Sequence, residues 1–144
     1  MEQEQAQSLC KILKGEYMGI DAYQKYLSRL HDPAIRVNLE RHQLGMRQMV
    51  SELESYLRNA GVDPPAGPGW TGLVGQAHLA LGLRGEPDDR TVLDAVYHGM
   101  KLGVDQTDAE LDILDGSAKE IAAKHLQRNK DYLEEVVRYR NLLH

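Results

Sequence analysis

The distribution of apolar residues along the chain predicts four long amphipathic helices. In each of four segments, apolar side chains recur in alternating steps of three and four residues, which places them on one face of an α-helix. The helices are predicted at about 3–30, 33–60, 89–115 and 117–142. No long segment alternates apolar and polar residues as a half-buried strand does. The pattern predicts an all-α fold, with one four-helix bundle domain covering residues 1–144.

Local signals at the helix boundaries group these helices into two hairpins. Asp32 suits a helix N-cap and Pro33 the first helical position, so the first two helices are predicted to meet at a tight turn. The Pro- and Gly-rich stretch 61–88 is longer than such a turn, and it contains a predicted short helix at 70–83. A connection of this length can run along a bundle, which predicts a third helix parallel to the second.

Two ionisable residues fall on the apolar stripes and are predicted to point inward. Glu16 continues the stripe of the first helix between Leu13 and Ile20, and His42 continues the stripe of the second helix. Burying an unpaired carboxylate costs several kcal/mol. Glu16 is therefore predicted to have a hydrogen-bond partner, for which His42, Tyr23 and a water molecule are the candidates.

The two halves of the chain resemble each other. The run Gly15–Asp21 recurs 84 positions later, with Met100 in the place of Glu16. The second and fourth helices align at an offset of 87, which puts Asn129 in the place of His42. Each half also carries a Gly-x-x-x-Gly run within a helix. Since a mid-helix glycine costs about 1 kcal/mol relative to alanine, these glycines predict close helix packing.

Composition limits the classes of function. The chain has 144 residues, enough to bury a core without disulfides, and its single cysteine, Cys10, can form neither an internal disulfide nor a zinc knuckle. The net charge of -5, with both signs interspersed, argues against a nucleic-acid surface. No apolar run approaches the ~20 residues of a membrane span, and the N-terminus lacks the apolar segment of a secretory signal. We therefore expect a cytoplasmic protein.

The remaining histidines and the methionines give weaker signals. His98 and His125 lie off the apolar stripes and His78 falls in the connection, so all three are expected to be exposed or half-buried. Asp94 and His98 stand four residues apart and predict a pair on a helix surface. The methionines at positions 18, 46, 49 and 100 are interpreted as core-filling side chains.

The inward Glu16, the two hairpins and the long connection resemble the ferritin-like superfamily. The likeness extends to a bacterial branch of small four-helix proteins of unknown function, in which a Lys-Gly-Glu-Tyr-Met run, here Lys14–Met18, lies in the first helix. For metal-binding members, the resemblance implies a Glu from the first and third helices and a Glu-x-x-His from the second and fourth. Those side chains would face a dinuclear iron or manganese centre.

Few of the implied ligands are present in this chain. Glu16 matches the first-helix Glu, but the third-helix position holds Met100, whose thioether cannot replace a bridging carboxylate. The second helix reads His42-x-x-Gly45 and the fourth Asn129-x-x-Tyr132, so neither carries Glu-x-x-His. The sequence therefore predicts a degraded dinuclear site.

Two functions remain open. The favoured one is a ferritin-like bundle without a cofactor, which acts as a non-catalytic binding or structural module, either as a dimer or with a protein partner. The alternative is an iron- or manganese-binding protein or oxidoreductase that uses Glu16 and His42, with Glu40 or Asp105 as further ligands.

Overall fold

The computed structural model of the protein describes residues 1–65 and 85–143. Four long helices make up most of these residues: α1 (Gln3–Leu27), α2 (Pro33–Asn59), α3 (Asp89–Glu110) and α4 (Gly116–Leu142). The described residues contain no strand, and none of their helices is both long and apolar enough to cross a lipid bilayer. The short helix predicted at 70–83 lies outside the described residues.

The turn between α1 and α2 forms largely as the local sequence predicts. The Asp32 carboxylate accepts hydrogen bonds from the first backbone N–H groups of α2, and Pro33 is the first residue of that helix. The predicted end of α1 near residue 30 is wrong, because the helix ends at Leu27. Leu30 is nevertheless buried in the core. The apolar stripe therefore continues beyond the helix that it predicts.

A carboxylate at the start of α3 connects the two hairpins. Asp89 accepts hydrogen bonds from the backbone N–H groups of His31 at 2.7 Å and Asp32 at 2.8 Å. Its neighbour Asp88 is the N-cap of α3 and accepts from the Thr91 N–H at 2.8 Å. The N-terminus of α3 is thus held against the α1–α2 turn.

Contacts along α1 fix the direction of α3. Ser8 donates a hydrogen bond to the Glu110 carboxylate at 2.7 Å, and the Tyr26 hydroxyl donates to the Ala95 carbonyl at 3.4 Å. The start of α1 therefore lies beside the end of α3, so these two helices are antiparallel. Because the tight turn makes α2 antiparallel to α1 as well, α3 runs parallel to α2, which confirms the prediction from the long connection.

The second hairpin closes through an irregular turn. The predicted end of the third helix near residue 115 is wrong, since α3 ends at Glu110 and a short 3-10 helix, Leu111–Ile113, follows it. Gly116 begins α4 with a φ of 51°, in the left-handed region that glycine adopts without strain. Leu114 is buried within this turn and joins the core.

Two apolar clusters fill the ends of the bundle. The cluster near the α1–α2 turn contains Tyr23, Tyr26, Leu27, Leu30, Ile35, Leu39, Met46, Val92, Leu93, Ala95, Val96, Met100 and Val136. The cluster at the other end contains Leu9, Ile12, Leu13, Val50, Leu53, Leu57, Leu114, Ala118 and Ala122. In α1 and α4, the positions of Glu16 and Asn129 fall between the two clusters.

Three of the four glycines in the Gly-x-x-x-Gly runs do not mark the close packing that was predicted. A Cβ added at Gly15 or Gly103 would have no atom of the described residues within 4 Å, and one added at Gly19 would make an ordinary 3.7 Å contact with the Met46 sulfur. The close approach occurs instead at Gly45 of α2. Because Gly45 has no side chain, it leaves room for the Tyr132 hydroxyl, and this contact offsets the cost of a glycine within a helix.

Candidate functional site

Glu16 lies in the core with an amide as its partner. Its side chain is 5% exposed, and its Oε1 accepts a 2.7 Å hydrogen bond from Asn129 Nδ2 of α4. The predicted partner exists, but it is none of the candidates named from the sequence. Burial raises the pKa of Glu16 to about 7, and the hydrogen bond from Asn129 opposes that rise. Asn129 Oδ1 is buried without a hydrogen-bond partner among the described residues.

His42 is fully buried and contacts a carboxylate of α4. Its Nε2 hydrogen-bonds to Glu135, whose two carboxylate oxygens also accept from Arg41 at 2.9 and 2.8 Å. Burial alone would raise the pKa of Glu135, but the hydrogen bonds from His42 and Arg41 and the charge of Arg41 outweigh it and lower that pKa. The ionised carboxylate can only accept, so His42 Nε2 carries the donated hydrogen. Burial lowers the pKa of His42 against the opposing effect of Glu135, which favours the neutral imidazole.

Two tyrosines enclose the His42 ring. The Tyr23 hydroxyl lies 3.3 Å from His42 Nδ1 and 2.9 Å from the sulfur of Met100, both of which can accept its hydrogen. Tyr132 stacks on the imidazole with ring centroids 4.3 Å apart. Its hydroxyl occupies the space that a side chain at Gly45 would need. Of the predicted ligand positions, Glu16 therefore contacts Asn129 and His42 contacts Tyr132, while Met100 contacts Tyr23.

A second histidine–carboxylate pair lies between α2 and α4. His125 of α4 is fully buried, and its Nε2 lies 3.2 Å from Glu52 of α2, which also contacts Lys124 at 3.3 Å. The expectation that His125 would be exposed or half-buried is wrong. Burial lowers the pKa of His125, as it does for His42. Its Nδ1 is buried without a hydrogen-bond partner among the described residues.

The two pairs are reciprocal. Each helix supplies a histidine and, ten residues later, a glutamate: His42 and Glu52 in α2, His125 and Glu135 in α4. Because the helices are antiparallel, the histidine of each meets the glutamate of the other. A basic residue precedes each histidine, Arg41 in one pair and Lys124 in the other, and contacts the same glutamate.

These pairs correct the predicted alignment of α2 and α4. The reciprocal contacts relate the two helices at an offset of 83, one helical turn away from the predicted 87, which makes His125 and not Asn129 the counterpart of His42. Two stripes with a period near 3.6 residues match almost equally well at offsets one turn apart. The matched Arg-His and Lys-His dipeptides, together with the glutamates, are the sequence signal that selects the offset of 83.

The other residues considered as ligands lie away from this cluster. Glu40 is exposed, and Asp105 is exposed and pairs with Lys101 at 2.8 Å. His98 is exposed as expected, but Asp94 contacts Arg140 at 3.5 Å rather than His98. Met46, Met49 and Met100 are buried in the core, as predicted, whereas Met18 is only half-buried. His78 lies outside the described residues.

The donor set does not fit a dinuclear carboxylate centre. Within residues 1–65 and 85–143, no group of three or more His, Cys, Asp or Glu side chains could hold a metal ion. Glu16 and His42 already have hydrogen-bond partners, and the third-helix position offers the sulfur of Met100. A thioether and a phenol are poor substitutes for bridging carboxylates around iron or manganese.

Comparison with protein families gives one match. The model of DUF2383, described as a domain of unknown function, matches residues 4–112, which include Glu16, His42 and Met100. No curated protein matches the chain.

Two solved structures share the architecture. The crystal structure of a conserved hypothetical protein, rv2844, from Mycobacterium tuberculosis superposes with a TM-score of 0.76 at 14% identity, covering 96% of this chain and 99% of that one. The crystal structure of ferritin like, diiron-carboxylate proteins from Bacillus anthracis str. Ames gives a TM-score of 0.73 at 13% identity, with the same coverage. These likenesses establish a ferritin-like four-helix bundle and nothing about chemistry.

Proposed function

We propose that this chain, which belongs to the DUF2383 family of domains of unknown function, is a non-catalytic binding or structural module with a degraded dinuclear metal site. The module works in the cytoplasm, needs no cofactor, and acts through protein contacts, either with a second copy or with another protein. Its helices keep the ferritin-like arrangement.

One observation carries this proposal: the side chains at the expected ligand positions Glu16, His42 and Met100 each contact another buried or half-buried side chain. Asn129 donates to Glu16, Glu135 accepts from His42, and the sulfur of Met100 lies within reach of the Tyr23 hydroxyl. A metal ion at this place would have to break these contacts. Since a buried polar group left without a partner costs about 1–3 kcal/mol, each of these contacts opposes metal binding.

The alternative is a single iron or manganese ion held by Glu16 and His42. It is supported by the burial of both side chains, since Glu16 is 5% exposed and His42 is fully buried. Such a site would need further donors, because Glu40 and Asp105 are exposed.

Metal analysis tests the proposal. The protein is purified without chelators, incubated with Fe²⁺ or Mn²⁺ without oxygen, desalted, and analysed for bound metal. We expect far less than one ion per chain, unchanged by Glu16→Ala. Stoichiometric metal that Glu16→Ala abolishes and His98→Ala preserves would contradict the proposal in favour of the mononuclear site. His98 is the matched control because its ring is exposed.

A further inference from the structure

The outward face of α2 carries two exposed apolar side chains. Val37 is 62% exposed and Leu44 59% exposed. They are seven residues apart, which is close to two helical turns, so they lie on one line along the helix about 10 Å apart. One exposed leucine on a surface is ordinary. Val37 and Leu44 together form an exposed apolar line along α2.

The described parts of the chain leave this face open. One end of the 61–88 connection contacts α1, where the Tyr17 hydroxyl lies 3.5 Å from the Pro65 carbonyl. The other end contacts the α1–α2 turn, where the Arg29 guanidinium donates to the Gly85 carbonyl at 2.6 Å. On α2 itself, the residues that face the bundle are different ones, including the fully buried Leu39.

Two opposite charges lie beside this apolar line. Glu40 and Arg47 are both exposed and, at 100° per residue, fall on the same flank of the line. Neither has an ion-pair partner among the described residues. Arg41 lies on the other flank, where it contacts Glu135 of α4. The free flank therefore carries an acid and a base seven residues apart.

We propose that this face binds a second copy of the chain, with the two α2 helices antiparallel and the two-fold axis beside Leu44. In such an isologous contact the same flank of both helices meets, so Glu40 faces Arg47 of the second copy and Arg47 faces its Glu40. Leu44 meets Leu44, and Val37 lies over Ser51 of the second copy. A parallel two-fold pair would instead bring opposite flanks together and place Glu40 beside Arg41 of the second copy, whose guanidinium already contacts Glu135.

This proposal rests on the proposed function, because it identifies the partner of the module. The helix has 27 residues and is about 40 Å long, so a helix-to-helix contact lies at the small end of specific interfaces. The central leucines supply the buried anchor, while the two exposed ion pairs set orientation more than affinity. The dimer is reversible, and salt weakens it.

Engineered disulfides test the orientation. In a Cys10→Ser background, Leu44→Cys is expected to give a disulfide-linked dimer on oxidation, because the two-fold axis brings the two positions together. Val37→Cys alone places the cysteines about 20 Å apart and is expected to give none, whereas Val37→Cys with Ser51→Cys restores cross-linking. Leu102→Cys is the control, since Leu102 is 54% exposed on α3.

Charge reversal tests the register by sedimentation at several protein concentrations. Glu40→Arg and Arg47→Glu are each expected to weaken the dimer about tenfold, since each replaces two attractive pairs by two repulsive ones. The double reversal is expected to restore wild-type association. Leu44→Glu is expected to give a monomer, and Leu102→Glu a wild-type dimer.

A wild-type monomer, equal cross-linking through Leu102→Cys, or a double reversal no better than the single ones would overturn the proposal. Preferential cross-linking of Val37→Cys alone would replace it with a parallel pair. Metal content measured on the same preparations reports on the proposed function separately, because the exposed face of α2 does not include the buried Glu16 and His42 side chains.

Discussion

Burial of Glu16 makes the stability of the protein depend on the ionisation of one side chain. In the unfolded chain the carboxyl loses its proton near its ordinary pKa of 4.5, whereas in the folded protein it does so at about 7. Between these pH values the folded state binds the additional proton. The free energy of unfolding therefore falls as pH rises from 4.5 to 7, because the folded state must give up this proton. Above pH 7 the stability lost in this way stays constant.

Glu16→Gln is expected to remove this loss of stability, because the Gln side chain does not ionise. The variant should exceed the wild type by about 3 kcal/mol in free energy of unfolding above pH 8, and the two should converge below pH 4.5. The Gln amide can also donate to the unpartnered Asn129 Oδ1. Urea unfolding across this pH range measures the difference, with the exposed Glu40→Gln as control. A constant difference at all pH values would show that Glu16 does not titrate as described.

Gly45 is the helical glycine whose replacement is expected to be harmful. A methyl group at this position would overlap the Tyr132 hydroxyl, so Gly45→Ala should lower the free energy of unfolding by about 1–3 kcal/mol. Adding Tyr132→Phe should recover part of that loss, because it removes the overlapping atom. Gly103→Ala, which meets no described atom, should instead gain about 0.5–1 kcal/mol. Thermal or urea unfolding of the four proteins distinguishes these outcomes.

The reciprocal histidine–glutamate pairs connect helices α2 and α4. Both histidines have pKa values lowered from 6.5 by burial, so an unfolded chain takes up protons that the folded protein does not. Stability is therefore lost as pH falls below 6.5. The pKa values of Glu52 and Glu135 are lowered from 4.5, so their contribution is lost in turn at more acidic pH.

Replacing either histidine should reduce this acid sensitivity. His42→Gln and His125→Gln are each expected to reduce the loss of stability as pH falls below 6.5, and in the double variant the opposite dependence caused by Glu16 should remain. Both variants lower stability at neutral pH by disturbing a buried contact. The exposed His98→Gln should retain the wild-type profile. If the single variants retained it too, neither histidine would be the source of the acid sensitivity.

The periodicity of the sequence reveals inward positions better than it reveals partners. It placed Glu16, His42 and Asn129 in the core correctly, because each continues an apolar stripe. It missed His125, which lies one residue from the stripe at Leu126 but still faces α2. Which side chain meets Glu16 depends on how α4 is rotated about its own axis and how far it is shifted along the bundle relative to α1. Both are determined by packing across the bundle, which the periodicity of one helix does not describe.

For the whole molecule, the fold could be predicted because four amphipathic helices with one long connection have few ways to bury their apolar faces. The ferritin-like likeness follows from that arrangement. The chemistry does not, because the pattern of the helices places side chains inward without determining what they contact. In this chain, the buried Glu16 and His42 have hydrogen-bond partners within the bundle, Asn129 and Glu135.

The most direct test of that claim is an anomalous-scattering map at the iron edge, from crystals grown after incubation with Fe²⁺. We predict no anomalous peak between Glu16 and His42, with the 2.7 Å contact from Asn129 to Glu16 retained. A peak within coordination distance of both side chains, with Asn129 displaced, would contradict the account.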